Sequence, residues 1–131
     1  MANTFLAGAT AAATSPTDDE LVAINHHLLA PLTVTLAAGQ NLKRGALLGA
    51  VTAGGQYKLS ASAAGDGSQA PMAVLVHDAD TTAAAAPVEV YLRGDFNQDV
   101  MTFGAGHTPT SVRAALHDTG IVLHKRYGAP V

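Results

Sequence analysis

The hydrophobic positions of this 131-residue chain change rhythm several times, and each change marks an element. "LTVTL" (32–36) alternates apolar and polar residues, the period-two pattern of a strand with one covered face. "ALLGAVT" (46–52) and "QYKLSAS" (56–62) flank "AGG", which reads as two strands joined by a tight glycine turn. "APMAVLVH" (70–77) is a continuous apolar run, which suits a strand buried on both sides. "VEVYLRG" (88–94) sets Val88, Val90 and Leu92 against Glu89, Tyr91 and Arg93. "AAGQNLKRG", "AAGDGSQ" and "DADTTAAAAP" separate these runs and read as turns and loops.

The rhythm then becomes helical. Thr108 can cap a helix, Pro109 suits its first position, Val112, Ala115 and Leu116 share a face, and Gly120 can end it. "LRGDF" (92–96) reads as a strand end and turn, "FGAGHTP" as the turn and cap before the helix, and "IVLH" (121–124) as a last short strand. The pattern predicts a mainly β, α+β domain with one short helix.

The N-terminal third follows different rules. Its first fifteen residues are almost all Ala, Gly, Thr and Ser, too poor in large side chains to pack, which predicts a loose leader. Apolar residues return in "ELVAINHHLLAPLTVTL". Thr17 and Glu20 have the spacing of a capping box for a short helix, which Pro31 would stop; the alternative, an extended arm, is favoured here. The expected division is a flexible arm at 1–35 and a single compact domain at 36–131.

Composition narrows the functions. Hydrophobic residues make up 48% but aromatics only 5%, so the core is built from small side chains, and oligomerisation is expected to add stability. The net charge is −3, which offers no electrostatic footprint for nucleic acid. That charge belongs to Asp18, Asp19 and Glu20, because residues 1–35 hold no Lys or Arg and the rest balances seven bases with seven acids. With no cysteine, disulfides and thiolate sites are excluded, which fits a reducing cytoplasm. "MANTFLAGATAAATSP" lacks the basic and apolar regions of an export signal, and no run approaches the roughly 20 apolar residues of a membrane span. A soluble protein without membrane contact is expected.

Catalytic chemistry finds little support. His26 and His27 are adjacent and point apart on either a helix or a strand. His77, Asp78 and Asp80 come nearest to a metal set, but no H-E-x-x-H or calcium-loop pattern accompanies them. His107 is better suited to fixing a turn, and Asp95 with Asp99 to a solvated turn. Ser60, Ser62, Ser68 and Ser111 lie outside any G-x-S-x-G elbow, and "GAGH" lacks a nearby Lys or Arg to complete a phosphate site. No enzyme, metal or cofactor is expected.

The order of several short motifs carries more information. Gly45, Leu48, Gly49 and Val51 form "G-x-x-LG-x-V", followed by "DGSQAPMAVL" (66–75), "LRGDFN" (92–97) and "SVRAAL" (111–116) leading to "GI". In this order, over roughly residues 36–124, the chain resembles the head decoration proteins of tailed bacteriophages, the lambda D-like family. The resemblance implies a small β-tulip-like or barrel-like domain and a homotrimeric cement protein, made in the bacterial host's cytoplasm and carried on the virion. Such trimers bind the major capsid protein on the outside of the expanded head, at three-fold and quasi-three-fold sites, and hold it against packaged DNA. The family's N-terminal segment is loose in the free protein and orders on the shell. Here that role would fall to Asp18, Asp19, Glu20, Leu21, Val22, Ile24, Leu28, Leu29, Leu32 and Val34. Two readings from other classes stand beside it: a virion-surface module for host glycan or receptor, using the loop at 79–87, and a metal enzyme at His77, Asp78 and Asp80.

Overall fold

The structure is a computed structural model describing residues 21–24 and 29–125. Its strands are β1 (Val22–Ile24), β2 (Leu32–Leu36), β3 (Asn41–Leu42), β4 (Leu47–Ala50), β5 (Tyr57–Leu59) and β6 (Pro71–Leu75). They continue with β7 (Ala79–Asp80), β8 (Ala86–Tyr91), β9 (Gly94–Asn97) and β10 (Ile121–His124). A 3-10 turn at Gln98–Val100 follows β9, and helix α1 (Pro109–Thr119) precedes β10.

Five strands close a barrel in the order β2-β5-β4-β6-β8, with β8 pairing back onto β2 from Leu32↔Val90 to Leu36↔Ala86. Beside it lies a three-stranded sheet ordered β10-β9-β1, and β3 pairs with β7 as a small ribbon. The mainly β architecture with one short helix is therefore the one the residue pattern predicts, and the barrel is what the resemblance implies.

Two apolar clusters explain the strand patterns. Leu36, Leu48, Ala73, Leu75 and Val90, with Leu42 and Ala46, fill the barrel lumen. Leu47, Val74 and the partly buried Tyr91, on the opposite face of the same strands, meet Val112 and Leu116 of α1 and Leu21, Phe96, Ile121 and Leu123 of the outer sheet. Ala73, Val74 and Leu75 are all buried because successive side chains serve different cores. That is why "APMAVLVH" shows no alternation. A narrow five-stranded lumen also favours small residues such as Ala46 and Ala73.

Local signals fix the helix. Thr108 Oγ1 accepts from Ser111 N at 3.1 Å while Ser111 Oγ accepts from Thr108 N at 2.9 Å, so the capping box closes on a serine, with Pro109 in the first turn. Gly120 ends α1 at φ 94°, a left-handed conformation that glycine adopts readily. Val112 and Leu116 are the buried residues of the helix, whereas Ala115, expected on the same face, is exposed.

Three other expectations differ. "GDFN" is the middle strand of the outer sheet rather than a turn, held by parallel pairing with β10 and antiparallel pairing with β1. Leu92 lies beyond the end of β8 and is 38% exposed, because the chain bends there toward β9. The compact body, among the described residues, also reaches upstream of residue 36: β1 joins the outer sheet, and β2 is a barrel stave along its whole length. Those strands are paired with residues about 50–74 positions away, which no local pattern announces.

Candidate functional site

The site of interest is the end of the outer sheet where Leu21 and His124 lie. Leu21 follows the acidic triplet, and its side chain is 1% exposed among Phe96, Leu123 and their neighbours. Its carbonyl accepts from Asn97 N at 2.7 Å. Val22 then pairs with Phe96 and Ile24 with Asp95. Asn97 is also the residue opposite His124, the last residue of β10. Leu21 and His124 therefore flank the same end of β9.

Side chains brace that end. Asn97 Oδ1 accepts from Asp99 N at 3.0 Å, which starts the 3-10 turn. Arg113 reaches from α1, donating to Leu123 O at 2.8 Å and to Gln98 Oε1 at 2.8 Å. His124 Nε2 lies 3.0 Å from Asp95 Oδ1, and Lys125 Nζ 3.6 Å from Asp99 Oδ1. Arg113 thus covers a carbonyl on β10, while α1 packs over the same strand. β1 is the opposite edge of the sheet.

The residues expected to meet the capsid divide into groups. Leu21 is core, and Val22 and Leu29 pack partly buried against the same cluster. Gly94, at φ 137°, leaves the space that the Leu29 and Phe96 side chains occupy. Val34 lines the barrel lumen, and Leu32, also on β2, is 47% exposed. Ile24 contributes a backbone pairing with Asp95. Asp18, Asp19, Glu20 and Leu28 lie outside the described residues, as do the proposed capping box at Thr17 and the pair His26 and His27. The bracing role of Arg113 had no signal in the sequence, since its partners lie on two other elements.

The remaining polar clusters are each internally satisfied. His77 Nε2 is 3.1 Å from Glu89 Oε1, and Asp78 accepts from Arg44 N at 2.8 Å with Lys43 Nζ at 3.5 Å. Asp80 accepts from the backbone and hydroxyl of Thr82. Hydrogen bonds hold both aspartates below the usual carboxylate range: chiefly the Arg44 N–H for Asp78 and the Thr82 hydroxyl for Asp80. A half-open groove of about 250 Å³ runs beside them, lined by His77, Thr81 and Pro87 among others. His107 Nε2 hydrogen-bonds the buried Ser60 Oγ at 3.1 Å, and His107 N donates to Gly104 O, which ties the pre-helix turn to the barrel. Among the described residues, no group of three or more His, Cys, Asp or Glu could hold a metal, and no helix is long and apolar enough to cross a membrane.

The described residues thus form a small closed barrel beside a three-stranded sheet whose edge strand is β1. The family model for the bacteriophage lambda head decoration protein D matches residues 10–122, and the chain belongs to that family. No curated protein sequence matches it. Membership makes this a viral structural protein that decorates the phage capsid, in a family that is not one of enzymes.

Proposed function

We propose that this protein is a trimeric cement protein, binding major capsid protein subunits on the outside of the expanded head at three-fold and quasi-three-fold sites and reinforcing the shell against packaged DNA. The observation that carries the reading is the family match over residues 10–122, which spans both the barrel domain and part of the segment that precedes it.

The geometry supports a specific division of labour. Residues 21–24 and 29–35 belong largely to the body, so the contact segment is best placed upstream of Leu21, with Asp18, Asp19 and Glu20 facing a basic rim of the shell. The β1 edge and the exposed Leu32 extend that surface. Adding a strand at a sheet edge gives affinity through main-chain hydrogen bonds. Ordering a segment costs roughly 1–2 kcal/mol per residue, and three linked arms offset that cost because later contacts are effectively intramolecular.

Full-length protein and a chain beginning at Leu21 are to be compared for binding to expanded heads stripped of decoration, with imaging of the decorated shell. The expected result is saturable density at three-fold positions for the full chain and a large loss for the shortened one. Binding equal in both would move the contact off the arm. Failure of the folded full-length protein to bind its cognate expanded heads would overturn the cement reading.

A further inference from the structure

The sequence holds one Asp–Gly step, Asp66–Gly67, and no Asn–Gly. At such a step an aspartate rearranges most readily, because a glycine with no Cβ leaves its amide nitrogen unshielded. The reaction needs a neutral carboxyl. Gly67 N loses its proton and attacks Asp66 Cγ, the Cγ–O bond breaks and water leaves, closing a succinimide ring. Water then adds to the Asp66 main-chain carbonyl carbon, the bond from that carbon to Gly67 N breaks, and the chain runs on through Cβ as isoaspartate. One water leaves and one returns, so no other reactant is required.

In the structure the groups of this step are each engaged elsewhere. Asp66 Oδ1 accepts from Ser68 Oγ at 2.6 Å and Ser68 N at 3.0 Å, and Oδ2 accepts from Lys58 Nζ at 2.9 Å. All three donors favour the ionised carboxylate, which cannot release water. Held at both oxygens, the carboxylate is not free to turn toward Gly67 N. That N–H donates to Gln69 Oε1 at 2.8 Å, and Asp66 O accepts from Thr52 N at 2.8 Å. Gly67, at φ 104°, lies so close to Thr52 and the Ala50 carbonyl that even a Cβ would collide, which restrains the main-chain shift ring closure requires.

We propose that Asp66–Gly67 is a latent isomerisation site that Lys58, Ser68 and Gln69 hold shut in the folded chain. Isoaspartate lengthens the main chain by one atom and shortens the free carboxylate by one carbon. It would break the contacts with Lys58 and Ser68 and displace the 66–70 loop, whose Ser68 and Ala70 carbonyls press on Gly49 in the barrel. In a capsid protein, which serves after its synthesis has ended, the guard sets how long that loop keeps its shape. The site is a property of the free chain and does not depend on the cement reading.

The test ages free full-length protein, kept folded at about pH 5, where an ordinary carboxyl is still partly neutral. A synthetic peptide of residues 60–72 supplies the unguarded rate. Trypsin releases Leu59–Arg93 as one piece, because no Lys or Arg lies between, and fragmentation mass spectrometry distinguishes isoaspartate from aspartate at position 66. Isoaspartate is expected to accumulate in the peptide and about ten-fold more slowly in the folded chain, the loss of neutral carboxyl that follows from one pH unit of depression. Lys58→Gln, Ser68→Ala and Gln69→Ala should each raise the folded rate about two- to ten-fold, the worth of one hydrogen bond. Thr108→Ala, which weakens the fold away from this loop, should leave the rate unchanged. Equal rates in peptide and folded chain, no isoaspartate in either, or loop variants no faster than the parent would overturn the proposal. So would acceleration by Thr108→Ala equal to that of the loop variants, because global folding would then be the guard. No phage head enters these measurements, so their failure is distinct from failure of the cement reading.

Discussion

Leu21 and Asn97 join the N-terminal segment to the domain: the Leu21 carbonyl accepts from Asn97 N at 2.7 Å while its side chain is enclosed in the outer core. The described body therefore includes the residue immediately after the acidic triplet. Removing residues 1–20 is expected to leave the thermal transition within a few degrees of the parent. Removing 1–35 deletes a barrel strand and an edge strand, and is expected to abolish cooperative unfolding in calorimetry. Leu21→Ala should cost about 2–5 kcal/mol in denaturant titration, as for other buried leucines. A loss below about 1 kcal/mol would show that the outer core does not enclose it.

Gly49 faces the Ser68 carbonyl so closely that a Cβ on it would collide with backbone. The strand β4 bears its register shift at this point, between Leu48 and Gly49 opposite β6. Gly49→Ala is expected to destabilise by about 1–3 kcal/mol through displacement of the 66–70 loop. Gly54→Ala, in open space but at φ 93°, should cost less, and chemical denaturation of the two variants compares them directly.

Asp66 is held far below the usual carboxylate range, first by the Ser68 hydroxyl at 2.6 Å and then by Lys58 Nζ at 2.9 Å. A depressed folded pKa means the unfolded chain takes up the proton first as pH falls. The contribution is present above the ordinary aspartate value and is lost as pH drops through the folded one. Asp66→Asn should therefore lower stability at neutral pH and flatten the decline below pH ~4. Parallel melts from pH 7 to 2 check this. An unchanged slope would show that the loop does not hold the carboxylate in solution.

Thr108→Ala removes one half of the capping box and is expected to cost about 1 kcal/mol, with Thr108→Ser close to neutral. Because α1 buries Val112 and Leu116 against the barrel, the loss should appear as reduced global stability rather than local fraying alone. Hydrogen exchange along 109–119 distinguishes the two.

The sequence by itself determined the elements whose signals are local. Alternation in 32–36, the glycine turn at 53–55 and the Thr108–Pro109–Gly120 frame of the helix each depend on neighbours within a few residues, and each stands in the structure. The order of its short motifs also carried the family. Tertiary structure decided what is held by distant partners. "GDFN" is a strand only because β1 and β10 supply hydrogen bonds on both sides; alone, its Gly, Asp and Asn favour a turn. Leu21, Val22 and Leu29 read as an arm, yet join the apolar cluster that holds Phe96 with Val112 and Leu116 of the helix. The placement of Leu21 and His124 at the same end of β9 belongs to the same category, since they flank it only through the strand order of the outer sheet. Periodicity reports which face a residue turns toward a core, whereas the identity of that core is a non-local fact.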